Sequence, residues 1–120
     1  NHASVFGKGF YWKEQLQGES WHWSEKTGEI ELFNFSSAKL PITLDFSLSG
    51  KDKREIIVSL NGHVLKTLDI SPNQRAPFKE KMFLEPGMNI LKFESDKSDV
   101  RLDIDFRKIG FRVINFQISS

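Results

Sequence analysis

Apolar and polar residues alternate with a period of two along most of this chain. Leu40, Ile42, Leu44, Phe46 and Leu48 fall on one side, and Pro41, Thr43, Asp45, Ser47 and Ser49 on the other. That is the pattern of a strand with one face on a core and one in water. Ile30 and Leu32 begin a similar strand, whose second face is partly apolar through Phe33 and Phe35. Ile56, Val58 and Leu60 follow, and Asn61-Gly62 then supplies a strong two-residue hairpin signal. Val64, Leu68 and Ile70 share one face of the return strand. A Pro-bounded loop, Ser71 to Pro77, leads to a strand carrying Phe78, Met82 and Leu84. Glu85-Pro86-Gly87-Met88-Asn89 reads as a β-turn before Ile90, Leu91 and Phe93. Leu102, Ile104 and Phe106 alternate again, while Ile109 to Ile118 is apolar on both faces, as in a strand buried between layers. Helical periodicity is nowhere convincing. About eight to ten short strands with turn signals between them predict an all-β fold, an antiparallel β-sandwich. A jelly roll is its favoured version, because it brings the chain ends together in one sheet.

At 120 residues the chain has the size of one domain with a core that needs no metal or disulfide. Residues 1–8 read as a remnant or linker and 9–120 as a single β-sandwich domain, excised from a larger protein. Seventeen Lys and Arg against sixteen Asp and Glu give a formal charge of +1, which leaves no electrostatic footprint for nucleic acid. The absence of cysteine excludes disulfides and thiol chemistry. No apolar run approaches the ~18 residues of a membrane span, so direct membrane insertion is not expected. Composition does not choose between a cytoplasmic location and the periplasm or cell envelope.

Chemistry concentrates near the start. Tyr11, Trp12, Trp21 and Trp23 hold the only tyrosine and all three tryptophans within thirteen positions, beside Glu14, Gln17 and His22. Trp and Tyr combine a large apolar face with a polar edge, which matches the C–H face and hydroxyl rim of a sugar. The carbohydrate reading stacks Tyr11, Trp12, Trp21 or Trp23 on a ring, with Glu14, His22 or Gln17 bonding its hydroxyls. The competing reading turns Trp21 and Trp23 inward to cap one end of the sandwich, since large aromatics are mostly buried for packing. Arg107, beside Phe106, is suited to a bidentate carboxylate contact. Its candidate partners are Asp105, Glu14 and Glu19. An inter-strand tie is the plainer account of it.

Asp96, Asp99, Asp103 and Asp105 offer oxygen ligands, but their spacing fits no EF-hand loop. A solvated strand face accounts for them better than structural calcium. The three histidines lack zinc-site spacing. No nucleophile elbow accompanies any Ser-His-Asp set. No catalytic residue, metal or cofactor is therefore expected.

Three segments recur in order: Gly9-Phe10-Tyr11-x-x-Glu14 with Trp21-x-Trp23, Val58-Ser59-Leu60-Asn61-Gly62 with Glu85-Pro86-Gly87-Met88-Asn89, and Asp105-x-Arg107-x-Ile109-Gly110-Phe111. Together they resemble the β-sandwich accessory domains of bacterial glycosyltransferases and surface-polysaccharide proteins. The middle part is similar to the wider galactose-binding-like, carbohydrate-binding-module-like jelly rolls. The resemblance implies a non-catalytic domain that binds glycan or positions a neighbouring enzyme domain. Its partners would be carbohydrate and other domains of the parent protein. His22 stands where a basic residue, often Arg, is expected between the two tryptophans.

Two readings remain. A sugar-binding module predicts that at least two of Tyr11, Trp12, Trp21 and Trp23 are exposed and roughly coplanar. A docking domain predicts buried aromatics and an exposed apolar patch built from Phe33, Phe35, Phe78 and Phe83.

Overall fold

The computed structural model describes residues 1–101 and 107–120. Twelve strands cover them: β1 (His2–Phe6), β2 (Phe10–Leu16), β3 (Glu19–Ser24), β4 (Thr27–Asn34), β5 (Leu40–Ser49), β6 (Arg54–Leu60), β7 (His63–Ile70), β8 (Ala76–Leu84), β9 (Gly87–Ser95), β10 (Val100–Arg101), β11 (Lys108–Ile109) and β12 (Phe111–Ser119). Two five-stranded antiparallel sheets form the sandwich, in the orders β1-β4-β9-β6-β7 and β2-β3-β12-β5-β8. The alternation expected for Leu40–Ser49 is observed, with Ile42, Leu44, Phe46 and Leu48 buried. Ile30, Leu32, Ile56, Val58, Leu91 and Phe93 of the facing sheet complete the same core with Phe111 and Val113.

Turn chemistry fixes the hairpins. Asn61 and Gly62 take φ of 50° and 84°, the paired positive values of a type I′ turn. Gln17 and Gly18 do the same between β2 and β3, at 50° and 80°. The second turn is less obvious from sequence, because Gln seldom takes a positive φ.

Several expectations need correction. Within residues 1–8, read as a remnant or linker, His2–Phe6 form a strand: β1 pairs along β4 from His2↔Asn34 to Phe6↔Ile30. Val64 does not share a face with Leu68 and Ile70. A register shift opposite Val58 and Ser59 turns Leu65 toward the core and leaves Val64 exposed. The last strand is not buried between layers along its length; it is the central strand of its sheet, with Arg112 half-buried and Asn115 exposed. The strand expected around Leu102, Ile104 and Phe106, with Asp103 and Asp105, lies outside the described residues.

Candidate functional site

Pairing across β3, β12 and β5 decides which way the aromatic segment faces. Val113 opposes both His22 and Leu48, and Leu48 is buried in the core. The intervening residues therefore point outward: Trp23 opposes Arg112, which opposes Ser49, and Trp21 opposes Ile114. On β2, Glu14 opposes Trp21 and joins this outer face. The expectation that Trp21 and Trp23 cap the sandwich from inside is thus overturned by the register of β3 on β12.

Trp23 is nevertheless only 8% exposed, because cations cover it. The Arg112 guanidinium lies 5.1 Å from the Trp21 ring centre and 5.4 Å from that of Trp23. Lys51 Nζ sits 5.7 Å from the Trp23 ring as well. Arg112 donates from Nε to Ser49 Oγ at 2.8 Å, and no carboxylate forms an ion pair with it among the described residues. Burial, followed by repulsion from Arg75, pulls its pKa below the ordinary arginine value. Trp21 Nε1 is buried without an acceptor among the described residues, unusual for an indole N–H.

A cleft of about 380 Å³ opens beside these rings. Trp23, Ser49, Lys51 and Arg112 form one side, and the loop from Pro72 to Arg75 the other. Arg75 donates to both carboxylate oxygens of Glu19, one of them at 2.7 Å. Strands β12 and β5 lie between β3 and β8 in the sheet, so the ion pair reaches across the outer face. Arg75 holds the Glu19 carboxyl below the usual carboxylate range, against some desolvation. Farther along the same face is a polar hollow of about 520 Å³ that includes Ser20, Asp45, Ser47, Asn115 and Gln117.

The remaining predicted residues form a neighbouring cluster. Trp12 is 62% exposed, at the irregularity where β2 slips against β3, and meets Tyr11 edge-on at 80°. Arg107 lies over both rings, 4.7 Å from Trp12 and 5.7 Å from Tyr11. It also donates to Glu14 at 2.6 Å, one of the three carboxylate partners offered for it by the sequence. Tyr11 Oη accepts from Lys108 N and donates to its carbonyl. The open coplanar platform of the sugar reading is therefore absent, because each tryptophan carries an arginine on or beside its face.

His22 is not part of either cluster's outer surface. Its ring stacks on Phe6 at 3.7 Å, nearly parallel, and Nδ1 lies 2.8 Å from the Tyr11 carbonyl. Burial lowers its pKa. Of the apolar patch proposed for docking, Phe78 is only 1% exposed, while Phe35 and Phe83 are well exposed and Phe33 stacks on Phe35. Among the described residues no group of His, Asp or Glu is gathered as for a metal ion.

Sequence reasoning missed Arg112, Ser49, Lys51 and the 72–75 loop. Arg112 had one signal: it alternates with Phe111 and Val113, so it must face away from the core.

No protein-family model matches the chain, and no curated protein matches it. Solved structures do resemble it. A family 35 carbohydrate binding module from an environmental isolate aligns over 98% of this chain and 96% of its own, with TM-score 0.54 and 16% identity. The C-terminal domain of EclA, described as a sugar-binding protein, aligns over 99% of this chain and 79% of its own, with TM-score 0.51 and 13% identity. A family 35 module from Paenibacillus barcinonensis aligns over 98% of both chains, with TM-score 0.50 and 12% identity. At such identities the shared property is the fold, an all-β sandwich.

Proposed function

We propose that this chain is a non-catalytic jelly-roll domain that binds carbohydrate bearing an acidic group. The ligand would be a bacterial surface glycan or its precursor, presented to a neighbouring glycan-processing domain. One observation carries the reading: Arg112 is half-buried on two tryptophans, in a cleft, and among the described residues it donates to Ser49 and has no carboxylate in ion-pair contact. A desolvated cation is expensive unless paired, and its planar fork suits a carboxylate or sulfate in bidentate geometry. Trp23, Ser49, Asn73 and Gln74 supply the apolar wall and the hydroxyl partners that a sugar requires. The likeness to sugar-binding folds supports the same ligand class.

The test is a glycan array on the isolated chain, followed by tryptophan fluorescence titration of acidic hits against their neutral parents. Saturable binding of acidic glycans, lost in Arg112→Ala, is the expected result. A second reading, docking on another part of a parent protein, draws on exposed Phe35, Phe83 and Met88. A folded sample silent on acidic and neutral glycans would favour it.

A further inference from the structure

Three cations border the cleft: Arg112, Lys51 and Arg75. Among the described residues, the one carboxylate in ion-pair contact with any of them is Glu19, through Arg75. That contact is bidentate, the same arrangement an acidic sugar would adopt on a guanidinium. It is also exposed, with side-chain accessibilities of 43% for Arg75 and 36% for Glu19. Arg75 belongs to the loop after Ile70, where a single isolated bridge, Ser71↔Gln74, interrupts an otherwise irregular path to Ala76. Breaking an exposed pair costs little, so a small turn of the Arg75 side chain suffices to exchange one carboxylate for another.

We propose that Glu19 is a built-in competitor for the acidic group of the ligand, holding Arg75 across the outer sheet face until a ligand oxyanion replaces it. The inference rests on the sugar-binding reading of the cleft. An entering carboxylate meets Arg112 and Lys51 on the sheet side, and Arg75 closes over it from the loop side. Glu19 thereby weakens binding of every ligand that needs Arg75, and it screens out neutral sugars, which offer nothing to take its place.

The signature is a pair of opposite effects. Glu19→Gln frees Arg75 and should tighten binding of acidic sugars by about threefold to fivefold, the scale of one exposed ion pair. Arg75→Ala removes a charged donor and should weaken it by about tenfold. A purely structural strap predicts instead that both substitutions shift affinity the same way, or not at all. Glucuronate, galacturonate and N-acetylneuraminate serve as probes in calorimetric titration of wild type and both variants, with glucose as the neutral control. Circular dichroism melts confirm that each variant is folded. Tightening by Glu19→Gln with weakening by Arg75→Ala supports the proposal. Wild-type binding that Glu19→Gln leaves unchanged or weakens overturns it alone. Silence of wild type and Glu19→Gln toward all three probes overturns it together with the acidic-sugar reading.

Discussion

Truncating Arg112 separates ligand recognition from stability more sharply than any other change. Among the described residues its side chain makes one hydrogen bond, to Ser49, and lies over Trp21 and Trp23. Each cation–π contact at a partly exposed site contributes about 0.5–1 kcal/mol, and the desolvation of a half-buried cation offsets much of that sum. Arg112→Ala should therefore cost about 1 kcal/mol or less, a fall in Tm of roughly 3–6 °C for a domain of this size. On the proposed acidic-sugar binding, the same guanidinium would pair with the ligand's acid group inside the cleft. Removing one partner of such a pair costs about 2–5 kcal/mol, which is roughly 30-fold to more than 1,000-fold in Kd. Arg112→Lys keeps the charge but loses the planar fork, so it should fall between the two. Fluorescence titration with an acidic glycan gives the affinities, and scanning calorimetry gives the Tm. Unchanged affinity in Arg112→Ala would refute the reasoning. So would a Tm loss above about 10 °C, because Arg112 would then be a structural tie.

Arg54 makes the complementary case. Its side chain is fully buried and donates to Asp52, Ser95 Oγ and the carbonyls of Lys97 and Ser98. Arg54→Met should destabilise by about 3–5 kcal/mol in urea unfolding, because it removes the buried cation and with it a donor to each of those acceptors. Gly9 has φ of +83°, and a Cβ there would lie 1.9 Å from the Thr27 carbonyl oxygen. Gly9→Ala should cost more than about 3 kcal/mol or prevent folding, seen as loss of the cooperative thermal transition. Burial lowers the His22 pKa below its unfolded value of 6.5, so the unfolded chain binds more protons as pH falls. The neutral ring's contribution is present above pH 6.5 and is lost as pH drops through the folded pKa. His22→Phe keeps a ring against Phe6 and should flatten that part of the stability–pH curve as pH falls below 6.5.

The fold was largely legible in the sequence because burial on one sheet face imposes period-2 alternation. Leu40–Ser49 and Ile56–Leu60 show it without interruption, and Asn61-Gly62 marks a turn that few other dipeptides make as easily. What escaped notice has a common cause. Leu65 breaks the alternation through a bulge, and Gln17-Gly18 carries a weak turn signal. The β1 segment, His2–Phe6, is short and lies at a sheet edge. The candidate site was half legible. Trp21 and Trp23 stood out by residue type, yet the residues that define their chemistry come from elsewhere in the chain. Arg112 reaches Trp23 through strand pairing, and Lys51 and Arg75 reach the cleft from loops about 25 residues apart in sequence. One-dimensional spacing does not encode such contacts.

The capping of the tryptophans by arginine changes what kind of sugar the surface favours. An open aromatic platform attracts any pyranose through its C–H face, with little regard to charge. Here Arg112 already occupies ring surface on Trp21 and Trp23. A neutral sugar seeking those faces must lift the guanidinium from two rings at once and gains no ionic partner in return. An acidic sugar leaves the stack in place and bonds to the cation that the rings hold in position. The stacked arginine is then pre-organised, so less side-chain entropy is lost on binding. Lys51 adds a second positive charge on the same side, with no carboxylate in ion-pair contact among the described residues. If this face binds acidic sugar as proposed, charge and not ring stacking alone sets its preference, and added salt should erode that preference where the cleft opens to solvent.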